Sequence, residues 1–561
     1  MLSRLAALAL TALVTAPLAT RGAVTPMRQA PDPSHAAIDS IFARYDHTST
    51  PGCALGVFRD DRIVYARGYG MADLNQRVPI GANTVFYIAS TSKQFTAMSV
   101  ALLAEDGKLS LDDPIRKWIP ELPAYADRIT VRHLLHHTSG LRDYLGLWAI
   151  SGRSVADEVP QEVALDLITR QRALDFEPGS QYSYSNSGYL LLAELVKRAS
   201  GLSLRDFAAA RIFQPLGMTS TQFHDDNTRI VERRAEGYQP DGAGTFAIVR
   251  TSFALVGDGG LLTTIEDLLK WDANFYHNVL GRGDPALIRQ VTTPSSSPLA
   301  GGREQRYAFG LMPGTYRGLA IVEHGGAFIG FRAQLLRVPD AHLSVAILCN
   351  DYTAAPEQMA RRVVDRYLAD RLAPIAGDRA GEGSARLTAA ALDRWVGRYE
   401  VLPGLVANVV RRDSTLRLTF AGATLPLTAR ADSLFSAPSL SEPIVFSHAG
   451  AIPTMRAEAL GMTAAAPRLP PAPVLTTAQR QAYAGRYVSA ELDSWAVIRV
   501  QGDTLMARMR WGEWLPLEPL APDTFVAVAA RVDFTRDRTG AVSGFRLSQA
   551  RTRGVVFDRA R

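Results

Sequence analysis

The chain has 561 residues, 47% hydrophobic and 21% charged, the proportions of an ordinary soluble globular protein rather than a disordered, collagenous or coiled-coil one. That length exceeds what one hydrophobic core organises and predicts two or three domains. A net charge of +6 with no long Lys/Arg run excludes a surface built to track a phosphate backbone, so no nucleic-acid partner is expected.

Residues 1–23 read as an export signal: Arg4 is the positive start, Leu5 to Val14 the apolar stretch and Ala19 the end of a small-residue exit. No later run reaches the roughly 18 apolar residues of a membrane span. The mature chain is therefore expected in the periplasm or secreted, without a transmembrane span. The two cysteines, Cys53 and Cys349, fall in apolar strand-like runs; a bridge between them is open but not dictated by sequence.

Strand-like CALGVFR and RIVYARGYG precede a helical pattern near Ser90, and FRAQLLRVPD and HLSVAILCN come much later, before an amphipathic helix from about Pro356 to Leu372. Strands at both ends of residues 35–372 with helices between them predict an α+β domain, an antiparallel sheet flanked by helices and closed by strands distant in sequence. Two stretches rich in Ala, Gly and Pro, 372–387 and 465–476, read as linkers. They set off two short segments, 388–464 and 477–561, that repeat one another. Gly397-Arg398-Tyr399 recurs as Gly485-Arg486-Tyr487, Thr415-Leu416 as Thr504-Leu505, and Leu425-Pro426-Leu427 as Leu515-Pro516-Leu517, at offsets of 88 to 90 residues. Alternation such as LRLTF and AVIRV predicts two small antiparallel β-barrels, with a shielding, docking or access-restricting role.

Three elements carry chemistry. In FYIASTSKQF, Ser90 and Lys93 lie one turn apart on one face. A serine hydroxyl needs a base to become a nucleophile, and a buried lysine near cations can supply one where arginine cannot. Only five of the 61 basic residues are lysines, and Lys93 alone has a serine three positions before it. In SQYSYSNSGYLLLAEL, a Gly/Ser-rich loop brings Tyr184 and Asn186 to a helix N-terminal edge; the phenol is a candidate acid or base if cations lower its pKa, and the amide a positioning group. In EHGGAFIGF, His324-Gly325-Gly326 precedes a strand where glycine permits close backbone approach. Tyr276-His277-Asn278 and His448-Ala449-Gly450 share spacings with these motifs and read as an exposed helix end and a surface turn. The ten histidines show no H-E-x-x-H spacing, and neither metal nor cofactor is expected.

Taken in order, with LLHHTSGL (134–141) and GDGGLLTT (257–264), these elements resemble the serine β-lactamase and penicillin-recognising superfamily in its class C branch, over about residues 35–372. The two C-terminal barrels resemble the D-aminopeptidase architecture. The resemblance implies Ser90 as nucleophile, Lys93 as its partner, Tyr184 as general acid/base, Asn186 and His324 as substrate-binding residues, and an oxyanion hole from the backbone N–H groups of Ser90 and Ala327 beside Gly326. β-Lactamases usually carry lysine where this chain has His324, a group mostly neutral at pH 7, so avid recognition of a carboxylate is not expected.

The activity implied is an acyl-enzyme hydrolase of small-molecule or peptide substrates. An amidase or peptidase on D-amino-acid or peptidoglycan-like substrates, of D-aminopeptidase or D,D-peptidase type, comes first. An esterase on the same fold is the alternative, and a non-catalytic cell-envelope binding protein the third reading. Loops at 141–160 and 222–255 shape the pocket, and neither specificity nor oligomeric state is legible from them.

Overall fold

The computed structural model describes residues 33–154, 159–250, 254–298, 304–374, 385–420, 422–437, 440, 443–457 and 465–560. The export-signal expectation at 1–23 lies outside the described residues. Six antiparallel strands form the main sheet: β1 (Cys53–Arg59), β2 (Arg62–Tyr69), β3 (Met312–Tyr316), β4 (Leu319–Phe328), β5 (Phe331–Val338) and β6 (Leu343–Cys349). Their spatial order is β3-β4-β5-β6-β1-β2. The first and last parts of the domain thus meet in the middle of the sheet, with Cys53 directly opposite Cys349.

β1 and β6 are nearly continuous apolar runs because both sheet faces are covered. Leu55, Val57 and Ile347 face a layer containing Ile38 and Phe42 of α1 (His35–Phe42) and Met359 and Val363 of the helix Pro356–Tyr367. Ala54, Phe58, Ala346 and Leu348 face the helical core on the other side. That core is built around α2 (Lys93–Glu105), buried along most of its length, and the helix Asn186–Ser200 packed against it. The Pro356 helix is shorter than its pattern predicts: Leu368, at φ −124°, leaves helical geometry, so Leu372 lies beyond its end.

Two eight-stranded antiparallel units follow. In the first, running from Gly397–Leu402 to Ala466–Pro467, the ends meet through a bridge between Tyr399 and Arg468; the second, Gly485 to Arg559, is a closed barrel. Both use the same internal pin. Tyr399 donates its hydroxyl to the Trp395 carbonyl at 2.9 Å, and Tyr487 does the same to Tyr483 at 2.7 Å. Each pin follows a short helix capped by a threonine, Thr388 or Thr476.

The second barrel docks on the catalytic domain through buried polar groups. Arg142 pairs with Glu491, both almost without exposed surface, and also donates to Gln171 Oε1 (2.9 Å) and the Gly554 carbonyl (3.2 Å). Thr552 Oγ1 donates to the Asp143 carbonyl at 3.0 Å, and Asp143 N–H donates to the Arg551 carbonyl at 3.2 Å.

The sulfur atoms of Cys53 and Cys349 are bonded, closing a separation of 296 residues. Replacing both with serine is expected to lower the unfolding free energy by about 2–5 kcal/mol. Chemical denaturation of the oxidised wild type against the double variant checks this; equal midpoints and slopes would show that the bond adds nothing.

Candidate active site

Ser90 occupies a tight turn, Ala89–Ser92, that feeds into α2; Ala89 at φ 46° makes the turn sharp. Lys93 opens α2 and is fully buried. Its Nζ lies 3.1 Å from Ser90 Oγ, 2.9 Å from Asn186 Oδ1 and 2.6 Å from the Asp258 carbonyl oxygen. Burial pulls its pKa from 10.5 down to about 7; Asp258 and Asp143 oppose the fall and Arg551 adds to it.

The partners of Lys93 decide what it does when neutral. A neutral amine has two N–H groups and one lone pair. The Asp258 carbonyl can only accept, and Asn186 Oδ1 likewise, so these two absorb both N–H groups and leave the lone pair facing the Ser90 hydroxyl. The Asn186 amide is held in that orientation because its Nδ2 donates to Asp143 Oδ2 at 2.9 Å. Asp143 accepts a second bond from Asn186 N–H at 2.8 Å and caps the short helix α3 (Tyr144–Ile150) through Leu145 N–H.

Tyr184 stands on the loop just before α4 (Asn186–Ser200) and is hydrogen-bonded to Ser90. Its ring packs on His137 with centroids 4.2 Å apart. Lys93 Nζ lies 4.8 Å and the Arg551 guanidinium 5.0 Å from the Tyr184 ring centroid. From sequence the phenol is a candidate acid or base if cations lower its pKa; the net shift is instead upward. Desolvation outweighs the lowering effects of the hydrogen bond with Ser90 and the field of Arg551, and the phenol is pushed above its ordinary value. Tyr184 is therefore a protonated donor at neutral pH.

His324 lies on β4 with both ring nitrogens engaged. Nδ1 is 2.7 Å from the Gly325 carbonyl, which can only accept, so the proton sits there. Nε2 then accepts from Tyr307 OH at 2.9 Å. Burial, reinforced by Lys93, lowers the pKa of His324 to about 4, so the ring is neutral throughout the physiological range. Gly326 is required by space: a Cβ there would lie 2.1 Å from the Ile88 carbonyl oxygen, inside the turn that carries Ser90. Ser90, Tyr184, Asn186, His324, Gly326 and Ala327 all line one cleft of about 600 Å³, with Lys93 packed behind Ser90. His277 and His448 lie elsewhere, the first on the surface with Nε2 3.0 Å from Asp61 Oδ2 and the second exposed on a barrel strand.

Three contributors escaped the sequence reading. Asp143 carries a cap signal, an Asp directly before an apolar run, but nothing local tells that its carboxylate also orients Asn186. Asp258 sits in the quoted GDGG run, where its backbone carbonyl rather than its side chain holds Lys93; the carboxylate accepts from Tyr144 OH at 3.0 Å. Arg551 comes from the second barrel, in the two-residue turn between Val542–Gln549 and Thr552–Arg559, and lines the cleft beside Tyr184. The barrels were expected to shield or dock; this one supplies a side chain to the cleft.

The Beta-lactamase family model matches residues 38–370. The chain belongs to the β-lactamase family. It is a serine hydrolase of that family, with two small barrels after the catalytic domain. It is 29% identical over 524 residues to the D-aminopeptidase of Cereibacter sphaeroides, a match covering 91% of this chain and 96% of the relative. Among solved structures, the octameric penicillin-binding protein homologue from Pyrococcus abyssi shares the fold at 23% identity with a TM-score of 0.55, over 75% of this chain and 96% of that one. The D-amino acid amidase from Ochrobactrum anthropi SV3, complexed with L-phenylalanine amide, aligns at 25% identity and a TM-score of 0.50, over 60% of this chain and 99% of that one.

The charges around this β-lactamase-family lysine can be tested singly. Asp143→Asn removes a group that raises the Lys93 pKa, and Arg551→Ala removes one that lowers it. With only five lysines in the chain, ¹³C NMR of the lysine ε-carbons resolves the titration. The two substitutions are expected to shift Lys93 in opposite directions, down and up; shifts of one sign would contradict the electrostatic account.

Proposed function

We propose that this protein is an exported amidase or peptidase that forms an acyl-enzyme on Ser90 with substrates containing a D-amino acid. The observation that carries it is the Ser90 hydroxyl set between a lone pair on Lys93 and the protonated phenol of Tyr184. Ser90 Oγ attacks the scissile carbonyl as Lys93 takes its proton. The backbone N–H groups of Ser90 and Ala327 receive the oxyanion. Tyr184 protonates the leaving nitrogen. In the second half, water loses a proton to the resulting phenolate while the Lys93 ammonium returns one to Ser90 Oγ, so each group regains its starting state. The near full-length likeness to a D-aminopeptidase supports a D-residue on the acyl side of the bond. Export is supported by the pattern of residues 1–23 and by the Cys53–Cys349 bond, a linkage that persists in oxidising compartments.

One observation refines the substrate. His324 has no proton or lone pair to spare, so it does not take over the work of a carboxylate-binding lysine. Arg551 places a permanent cation in the cleft instead, with the Asp143 carboxylate 4.0 Å away, too far for a hydrogen bond. That favours substrates with a carboxylate near the scissile bond, the D,D-peptidase variant of the proposal, over those with only a neutral amide.

Ser90→Ala is expected to abolish covalent labelling by a fluorophosphonate, with the wild-type adduct on a peptide containing Ser90. Lys93→Arg should lose at least a hundredfold in kcat/KM, because a guanidinium cannot give up its proton. The acid limb of the wild-type kcat/KM profile should rise through about pH 7, where Lys93 becomes neutral. Arg551→Ala should lower kcat/KM for peptides ending in a free D-residue by about 1.5–3 kcal/mol relative to the matching amides. An unchanged ratio would remove Arg551 from carboxylate recognition while leaving the Ser90 chemistry standing.

A further inference from the structure

The interior of the second barrel is packed at one end and hollow at the other. Tyr483, Tyr487, Phe534 and Phe557 fill the closed end ring against ring, and Phe545, which packs on this cluster, also lines the hollow; centroid separations are 4.6 Å for both Tyr483–Phe534 and Phe545–Phe557. Toward the catalytic domain the inward positions become small: Ala496, Ala507, Ala527 and Ala530 alternate with aliphatic residues around a cavity of about 210 Å³. Protein interiors are normally filled to crystal density, so a void of this size is a departure to be explained.

The first barrel carries larger residues at the matching positions. TLRLTF and TLMARM occupy the same strand in the two repeats, with the Leu416–Leu427 pair matched by Leu505–Leu517. At the next inward position the first barrel has Leu418, fully buried in its core, and the second has Ala507. Two residues on, Phe420 packs on the first core where Met509 stands in the second. On the same frame, one repeat places a leucine and a phenylalanine where the other has an alanine and a methionine.

The mouth has the marks of an entrance. Leu515 and Val528 are 36% and 72% exposed beside it, and Ala149 of α3 is exposed at its edge. The hairpin tip Val528-Ala529 holds φ values of 43° and 69°, a left-handed conformation that a β-branched residue adopts only under strain. Gln549 supplies a polar side chain on the lining, and among the described residues no charged side chain lines the cavity.

We propose that this hollow is a binding site for an uncharged alkyl or acyl chain of about six to eight carbons, sized by comparison with hollows of ~150 Å³ that take benzene. The chain would lie along the aliphatic wall with its polar end toward Gln549. Eight-stranded barrels have room for side chains or for one small ligand, and here the alanines select the second. The site adjoins two elements that reach the cleft: α3, whose Ala149 and Ile150 line the cavity while Tyr144 bonds to Asp258, and the strand ending at Gln549, two residues before Arg551.

Titration of the full-length mature protein with 1-octanol by isothermal calorimetry is expected to show saturable binding of one equivalent. Ala507→Leu, which installs the residue of the first repeat, should weaken it at least tenfold without lowering the Tm and without changing fluorophosphonate labelling of Ser90. Ala530→Leu closes the opposite wall and serves as an independent variant should the first fail to fold. Absence of saturable binding, binding unchanged in a folded variant of either kind, or octanol that blocks Ser90 labelling and ignores both substitutions would overturn the proposal.

Discussion

A lysine with no exposed surface is the constraint around which the catalytic domain is arranged. An ammonium that deep is too costly to remain charged unless it is paired, and the site does not pair it directly with a carboxylate. It offers two neutral acceptors and a hydroxyl instead. That set favours the neutral amine, since a third N–H would have to donate to the same hydroxyl whose proton must leave. The nearby charges tune this balance from a distance: Asp258 and Asp143 resist deprotonation and Arg551 promotes it, and the outcome lies near neutrality. Arginine, which this chain uses for most of its ion pairs, has no accessible neutral form and could not serve here.

The neutral acceptors must in turn be fixed, and that duty falls on Asp143. One of its oxygens caps α3 and the other accepts from the backbone N–H and from the side-chain amide nitrogen of Asn186, which turns the amide oxygen toward Lys93. The backbone of the same residue is tied to the second barrel, its N–H to Arg551 and its carbonyl to Thr552. Its neighbour Arg142 is locked to Glu491 out of reach of solvent. Removing Arg142 would leave the buried Glu491 carboxylate without its cation, a change that costs about 3–5 kcal/mol in such buried pairs. The barrel is therefore coupled to the position of the amide that orients the base, as well as contributing Arg551 to the cleft.

What was legible in the sequence follows from the range of the interactions concerned. The strands around Cys53 and Cys349 were visible because burial on both faces leaves apolar runs, and Ser90, Lys93, Tyr184 and Asn186 because local turns and helix starts place them. The repeat was visible because residues that pin a barrel, such as Tyr399 and Tyr487, recur in fixed register. The sign of the Tyr184 shift was not visible: neighbouring cations can be guessed from spacing, but the depth of desolvation that overrides them depends on packing from His137 and Tyr307. Nor could a repeat with no cluster of reactive residues announce that the turn at Arg551 reaches into a cleft made by another domain.

The two barrels separate what frames a fold from what the fold can carry. Capping threonines, the tyrosine-to-carbonyl pins and matched leucine pairs set closure and register, and these are the features both copies keep. Inward positions beyond the first layer and the tips of hairpins do not set register, so they can differ without cost to the frame. It is at those positions that the second copy departs, with Ala507 for Leu418 inside and a positive-φ Ala550 turning Arg551 outward to Tyr184. A closed barrel has no free edge to satisfy, and its interior and its turns are the places where substitution can add chemistry while the hydrogen-bonded wall stays intact.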